Sequence, residues 1–286
     1  MAIFKRASEL IKKAEKNGYA IPAFCAWNAE IIDTVLKTAA DVHSPVIVMS
    51  GPGEFSLLSP TSMGTIARAL VSRYDVQAAL HYDHGDSITV LKECLDAGFT
   101  SVMLDLSAKP YMENVKGMKE VARIIKRSAF SATIEGELGA VGNVDDNTKE
   151  GSALTELTDP RTAKDYVEQT GVDMLAVSIG NKHGIYTALP KFDFKRLEAI
   201  HEAVPVPLVL HGGSTTPEAD IKRCIDLGIR KINVASELVA CVRESLKKQW
   251  AEGRNPWLPR ALAEATSGIP EILRRWMKMA GSEGMA

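Results

Sequence analysis

The chain has 286 residues and a net charge of −2, with 34 Lys and Arg against 36 Asp and Glu. Its composition, 45% hydrophobic and 24% charged, is typical of globular proteins and offers neither the basic excess of a nucleic-acid binder nor an apolar run that could span a membrane. Four cysteines without a CxxC pair, and an N-terminal segment without the apolar core of a signal peptide, predict a cytoplasmic protein.

Short β-branched runs alternate with helix-period segments eight times along the chain. Several of these runs are almost continuously apolar, as expected for parallel strands that are covered on both faces. The predicted strands, in chain order, are Tyr19–Phe24, Val46–Ser50, Val76–Tyr82, Ser101–Asp105, Ala132–Glu137, Met174–Ser178, Leu208–His211 and Lys231–Val234.

Eight β-then-α units in a chain of this length predict an α/β fold of the (β/α)8 TIM-barrel type. A doubly wound open sheet is the alternative, but no GxGxxG motif follows any predicted strand. No linker interrupts the sequence, so residues 1–286 are predicted to form one domain, with extra helices at about 251–286 outside the eight units. The segment Leu138–Leu157 lacks periodicity, which indicates a functional loop or disorder.

Polar residues collect where the predicted strands end, which is where barrel enzymes place their active sites. Three of the six histidines, His84, His183 and His211, lie at the ends of the third, sixth and seventh strands. Three imidazoles that converge on one barrel mouth predict a catalytic zinc with one open coordination position. The alternative is that each histidine only ends a strand or satisfies a loop carbonyl. His81 is predicted to point into the barrel interior together with Asp83.

The ends of the seventh and eighth strands carry small and hydroxyl-bearing residues, Gly212-Gly213-Ser214 and Asn233-Val234-Ala235-Ser236. Barrels frequently bind a phosphate group at this position through backbone N–H groups and a helix N-terminus, and glycines permit the close approach of the anion. The alternative is a tight turn followed by an ordinary serine helix cap.

Seven short segments have a specific order and spacing: Tyr19-Ala-Ile-Pro-Ala-Phe24, Asp83-His84, Ser101-Val-Met-Leu-Asp105, Glu135-Gly-Glu-Leu-Gly139, Ala176-Val-Ser-Ile-Gly180 with His183-Gly184, Leu210-His-Gly-Gly-Ser214, and Lys231-Ile-Asn-Val-Ala235. As a set, from about residue 5 to 250, they resemble the zinc-dependent class II ketose-bisphosphate aldolases, closest to the tagatose/fructose-bisphosphate branch. The resemblance implies reversible cleavage of a ketose 1-phosphate or 1,6-bisphosphate to dihydroxyacetone phosphate and an aldehyde.

The resemblance also implies roles for individual residues. His84, His183 and His211 match the zinc ligands, and Asp83 matches the acid/base that handles the proton of the C4 hydroxyl group. Asp105 and Glu137 match positions that hold a second, auxiliary divalent ion in some members. The dihydroxyacetone phosphate site, near which a monovalent cation is sometimes found, is matched by Gly184, Gly212, Gly213, Ser214, Asn233, Val234, Ala235 and Ser236. Asn28, after the first strand, is a further substrate-binding candidate.

The sequence departs from the family pattern at the loop acid and at several positions that concern the far end of the substrate. The loop acid, usually Glu, is replaced by Asp145, for which an exposed loop charge is the alternative interpretation. Asn255-Pro256-Trp257 stands where relatives carry Asp-Pro-Arg, whose Arg serves the distal phosphate, often in a neighbouring subunit. At three further positions where relatives carry polar residues, this chain has Cys25, Gly51 and Ala108. We therefore expect a substrate with one phosphate, at C1, unless Arg260 replaces the missing Arg.

Two other functions are open from the residues alone. In a zinc barrel hydrolase the metal would activate water, but the first strand lacks the bridging Lys or HxH pair that such enzymes often add. A non-catalytic subunit of a carbohydrate pathway would have no need for Asp83 and three intact histidines. We expect a sugar-phosphate substrate, no nucleic-acid or membrane partner, and assembly as a homodimer or homotetramer.

Overall fold

The computed structural model describes residues 3–127, 131–144, 156–186, 188, 190–253 and 257–286. Its strands are β1 (Ile21–Cys25), β2 (Val46–Ser50), β3 (Ala78–Gly85), β4 (Ser101–Leu104), β5 (Thr133–Leu138), β6 (Gly142–Asn143), β7 (Met174–Val177), β8 (Lys182–His183), β9 (Leu208–Leu210) and β10 (Ile229–Val234). Its helices are α1 (Ala7–Asn17), α2 (Ala29–Asp41), α3 (Pro60–Val71), α4 (Ile88–Ala97), α5 (Tyr111–Arg127), α6 (Pro160–Thr170), α7 (Phe194–Ala203), α8 (Glu218–Asp226), α9 (Ser236–Ala251), α10 (Leu258–Thr266) and α11 (Ile269–Met279).

Eight of the strands close into a barrel in the order β1-β10-β9-β7-β5-β4-β3-β2, and every neighbouring pair is parallel. The predicted (β/α)8 barrel is therefore confirmed, and each predicted strand is present with its ends shifted by at most about three residues. The remaining strands, β6 and β8, pair with each other as a small sheet of two strands. The first of them lies inside the segment that was predicted as a loop or disordered.

Side chains alternate along each barrel strand between the interior and the layer that faces the helices. In β3, Leu80 and Tyr82 belong to the outer core, whereas Ala79 belongs to a separate apolar cluster inside the barrel. Helix α1 and the residues before it close the N-terminal end of this interior. The N–H of Lys5, just before the helix, donates to the carbonyl oxygen of Ala78 at the start of β3, and the N–H of Ser8 in α1 donates to Thr133 Oγ1 at the start of β5. The N-terminal half of the barrel interior is therefore a packed apolar core, and the polar interior residues lie towards the C-terminal end.

The C-terminal helices are part of the helical layer. Helix α10 packs on α9, while α11 contacts α2, α8, α9 and the strand β1. Trp276 of α11 is buried, and its indole N–H donates to Glu237 at the start of α9 over 2.8 Å. The sequence predicts these helices as additions to the eight units, and in the structure α11 packs into the helical layer, where its apolar face completes the core beside β1.

Helix ends follow the local sequence signals. Asp159 caps α6 through the backbone N–H of Thr162, and Pro160 lies in the first turn. Asn28 caps α2 in the same way, accepting from the N–H of Ile31 over 3.0 Å. Within the ranges that the structure describes, no helix is both long enough and apolar enough to cross a lipid bilayer.

Candidate active site

Three histidine side chains meet at the C-terminal end of the barrel. His84 is the second-last residue of β3, His183 ends β8 and His211 follows β9, so three separate elements bring them together. The ring centroids of His84 lie 4.9 Å from those of His183 and 4.7 Å from those of His211. One nitrogen from each ring lies within 4.8 Å of the other two. The convergence predicted from the strand ends is present in the fold.

The hydrogen bonding of the three rings fits a metal ion. Both ring nitrogens of His183 and Nδ1 of His211 are buried without a hydrogen-bond partner in the described part of the chain. The Nδ1–H of His84 donates to Asp105 over 2.9 Å, which leaves Nε2 available as a ligand. Buried nitrogens are normally hydrogen-bonded, and a carboxylate on the far nitrogen is typical of metal-ligating histidines. Imidazole ligands of this kind suit zinc.

The backbone at His84 adopts a conformation that non-glycine residues rarely take. Its φ is +44°, in the left-handed region, where non-glycine residues are uncommon. Such strain persists only where the surrounding structure holds it, and it is concentrated at functional sites. In this protein the strained residue turns the imidazole towards His183 and His211.

Asp83 lies beside the histidines and is held by polar neighbours. Its Oδ1 accepts from the side-chain amide of Asn233 over 3.0 Å and lies 3.4 Å from Nε2 of His81. Burial by itself would raise the pKa of Asp83, but His84, His81 and Lys231 outweigh it and hold that pKa well below its usual range. Asp83 is therefore a carboxylate at neutral pH and can accept a proton.

The two auxiliary-metal candidates lie on the same side of the cluster. Ligand atoms of His84, Asp105 and Glu137 are within 4.8 Å of one another, and Glu137 Oε2 is 3.2 Å from His211 Nδ1. Although burial opposes ionisation, hydrogen bonds from His84 and Ser107 hold the pKa of Asp105 well below its usual range. The arrangement therefore has enough negative charge for a second divalent ion.

Most of the predicted phosphate-binding residues line the same small cavity as Asp83, His84 and His183. Gly212 has φ +64°, and a Cβ there would lie 2.1 Å from the carbonyl oxygen of Lys182, so only glycine fits. The cavity is lined by Met49, Asp83, His84, His183, Gly184, Gly212, Ser214, Asn233, Ala235 and Ser236. It therefore joins His84 and His183 to the N-terminus of α9, a favourable position for an anion.

Three of the substrate-binding candidates have contacts within the fold that occupy a hydrogen-bonding group or bury the side chain. The N–H of Gly213 donates to Asn233 O over 3.0 Å, and the side chain of Val234 packs in the outer core. Asn28 caps α2, as described above, and does not line the cavity. Asp145, the loop-acid candidate, lies outside the described residues, as do residues 255 and 256. Trp257 is 74% exposed.

The prediction of site residues from the sequence omitted two charged residues inside the barrel. Glu135 and Lys231 are fully buried beside His81, directly beneath the histidines, and Lys231 Nζ lies 2.8 Å from Glu135 Oε2. Strand alternation could have identified them, because Glu135 is two residues from Glu137 on β5 and Lys231 is two residues from Asn233 on β10. Lys231 is paired with a carboxylate, so it is not a free amine for Schiff-base chemistry.

A family model and a characterised relative both identify the chain as similar to class II aldolases. The model of the class II fructose-bisphosphate aldolase family matches residues 5–285. The chain is 37% identical over 279 residues to the D-tagatose-1,6-bisphosphate aldolase subunit GatY of Klebsiella oxytoca, covering 97% of this chain and 98% of that protein.

Solved structures with the same fold include two relatives of similar length. The crystal structure of the YdjI aldolase from Escherichia coli K12 has a TM-score of 0.86 at 32% identity and covers 100% of both chains. A putative fructose-1,6-biphosphate aldolase from Coccidioides immitis has a TM-score of 0.86 at 29% identity, covering 98% of this chain and 97% of that one.

Proposed function

Because the chain belongs to the class II fructose-bisphosphate aldolase family, we propose that it cleaves a ketose 1-phosphate or ketose 1,6-bisphosphate reversibly to dihydroxyacetone phosphate and an aldehyde. Family membership makes it a metal-dependent carbon–carbon lyase. The observation that carries the proposal is the placement of Asp83, an ionised carboxylate, on the same cavity as His84 and His183.

His84, His183 and His211 are the proposed ligands of a zinc ion. The support for this assignment is the set of buried ring nitrogens that have no other partner in the described chain. When bound, zinc supplies a Lewis acid that stabilises the negative charge developing on the dihydroxyacetone half of the substrate. Asp105 contributes by fixing His84 Nδ1, which orients the ring.

Asp83 is the proposed base in the cleavage direction. It accepts the proton of the C4 hydroxyl group while the C3–C4 bond breaks, and the electron pair of that bond remains on the dihydroxyacetone half. Asn233 and His81 hold the carboxylate in place. Asp145 is the proposed acid that returns a proton to C3.

The phosphate of the dihydroxyacetone half is proposed to bind where the glycine turns meet α9. Gly184, Gly212 and Gly213 keep side chains away from the anion, and the hydroxyl groups of Ser214 and Ser236 supply donors. Asn233, Val234 and Ala235 contribute the strand end that precedes the helix. Asn28 remains a proposed contact at the first strand end.

The distal half of the substrate is proposed to lack a phosphate. A dianionic group without a guanidinium partner loses charge-assisted hydrogen bonds, and Trp257 offers instead an exposed apolar face. We expect kcat/KM for ketose 1-phosphates without a C6 phosphate to match or exceed that for fructose and tagatose 1,6-bisphosphates. A preference of about 100-fold for a bisphosphate, roughly 2.7 kcal/mol, would instead show that a distal-phosphate site exists.

Further ions, assembly and location are part of the same proposal. Asp105 and Glu137 would hold a second divalent ion, and a monovalent cation would lie near the phosphate. Homodimers or homotetramers in the cytoplasm are expected, and exposed apolar side chains on α9 and α10, among them Trp250 and Leu258, are consistent with assembly. Light scattering measures the number of subunits in the assembly. Elemental analysis of protein prepared with and without added zinc or potassium measures how many ions of each kind are bound.

The decisive experiment measures release of dihydroxyacetone phosphate from a panel of ketose 1-phosphates and bisphosphates, before and after removal of metal by a chelator. We expect release that stops on metal removal and returns when zinc is added. Activity that survives complete metal removal would contradict the proposal. Phosphate release without dihydroxyacetone phosphate would instead indicate a hydrolase.

A further inference from the structure

A buried ion pair lies beneath the proposed metal centre. Lys231 Nζ is 2.8 Å from Glu135 Oε2, and both side chains are completely shielded from solvent. Taking two charges out of water is costly unless both are compensated in good geometry. The roles proposed above for the reaction use neither residue, so the pair needs another explanation.

The same carboxylate contacts one of the proposed metal ligands. Glu135 Oε1 is 2.8 Å from Nε2 of His211, with hydrogen-bond geometry. The other ring nitrogen, Nδ1, has no hydrogen-bond partner in the described chain and lies beside Glu137. Oε1 of Glu135 thus faces His211, whereas Oε2 faces Lys231, with His81 Nε2 3.6 Å away from it.

We propose that Glu135 and Lys231 are positioning residues that fix the tautomer of His211. The carboxylate holds the proton on Nε2, so that Nδ1 carries the lone pair that a metal ion requires. Lys231 compensates the second oxygen, which keeps Glu135 ionised and oriented inside the barrel. This inference rests on the proposed metal site and adds to it the two residues that decide which nitrogen of His211 is the ligand.

The chemistry of glutamine supplies a test. In Glu135→Gln only one oxygen remains, and the ammonium group of Lys231 takes it because an amide NH₂ cannot face an ammonium. The NH₂ group then faces Nε2 of His211 and forces the proton to Nδ1, away from Nε2. In Glu135→Gln/Lys231→Met the amide can rotate and accept from Nε2 again. In Glu135→Leu/Lys231→Met no acceptor remains.

The experiment measures zinc affinity by competition with a chelator, on the whole protein, for each folded variant. We expect Glu135→Gln and Glu135→Leu/Lys231→Met to bind zinc about 10–100-fold more weakly than the original protein, and Glu135→Gln/Lys231→Met to recover most of the loss. Both double variants lack the buried charges, so they separate the hydrogen bond from the ion pair. Glu15→Gln, which removes the carboxylate 3.2 Å from the neighbouring Arg230, is the matched control.

A spectroscopic measurement reads the tautomer directly. In the zinc-loaded protein with labelled histidines, long-range ¹H–¹⁵N spectra should show a proton on Nε2 of His211 in the original protein and in Glu135→Gln/Lys231→Met. Equal zinc affinity in the two double variants, or a proton on Nδ1 in the original protein, would overturn the inference. If the original protein and His183→Ala bind zinc alike, the proposed metal site itself fails, which is a different result.

Discussion

The two ends of the barrel differ in how their interiors are filled. At the N-terminal end, α1 inserts Leu10 and Ile11 against apolar strand residues such as Ile47 and Met174, all of them buried. At the C-terminal end, the interior holds histidines and carboxylates, several with buried atoms that lack a hydrogen-bond partner among the described residues. One end therefore stabilises the fold, and the other carries polar groups whose burial opposes stability.

Backbone strain is present at both ends but more frequent at the C-terminal one. Of the three described non-glycine residues with positive φ, His84 and Thr215 lie at the C-terminal end, where β3 and β9 lead into loops, and His43 lies between α2 and β2 at the N-terminal end. Each such residue costs about 1–3 kcal/mol, which the packed remainder of the barrel must offset. Substitutions at the C-terminal end should therefore act mainly on the chemistry, and substitutions at the N-terminal end mainly on stability.

The largest expected effect is at the metal centre. His183→Ala should abolish stoichiometric zinc binding and dihydroxyacetone phosphate release together, because His183 has no other hydrogen-bond partner in the described chain. Elemental analysis and the aldolase assay measure both. His201→Ala, on the outer helix α7, is the control and should keep both properties. An active, zinc-loaded His183→Ala protein would remove this residue from the proposed ligands.

The next effect concerns turnover alone. Asp83→Ala should lower kcat by about 10²–10⁴-fold, since general acid–base groups contribute that much, while zinc binding is retained. Steady-state kinetics and metal analysis check the two parts. The exposed Asp96→Ala on α4 should leave both unchanged. Loss of zinc in Asp83→Ala would show that Asp83 serves the metal and not proton transfer.

At the opposite end, a substitution should change stability and leave the chemistry intact. Leu10→Ala should lower the free energy of unfolding by about 2–5 kcal/mol, because it opens a cavity beneath the barrel. Zinc affinity of the folded protein should not change. Lys12→Ala, on the exposed face of α1, should stay within about 0.5 kcal/mol of the original stability in urea unfolding. A weakened metal site in Leu10→Ala would contradict the separation of the two ends.

The smallest expected effect is on the pH dependence of the free energy of unfolding, and it arises from Glu135 at the C-terminal end of the barrel. Burial opposes ionisation of Glu135, but Lys231 and His81 outweigh it and lower its pKa from 4.5 to about 2. The unfolded chain therefore binds the proton first as the pH falls, so the folded state loses stability. Between pH 6 and pH 3 this loss is about 2 kcal/mol. Urea unfolding of the metal-free protein should show a shallower decline in Glu135→Gln, and parallel curves would contradict the assignment.

The order of elements was readable because barrel strands and their connections leave strong local patterns. Nearly continuous apolar runs such as Val46–Ser50 are local features, and the structure forms that strand with the predicted bounds. Convergence of His84, His183 and His211 followed from the same information, since all parallel strands of a barrel end at one mouth. The contributions of individual residues to substrate binding stay predictions.

Tertiary structure alone decided which buried charges meet. Glu135 on β5 and Lys231 on β10 lie on strands that are not neighbours in the barrel, so their contact depends on its closure and width. The packing of α11 beside β1 was equally hidden, because an amphipathic helix shows that one face will be covered but not by which element. Local pattern thus determined the strands and the mouth, whereas the pairing of charges inside required distances that only the closed barrel sets.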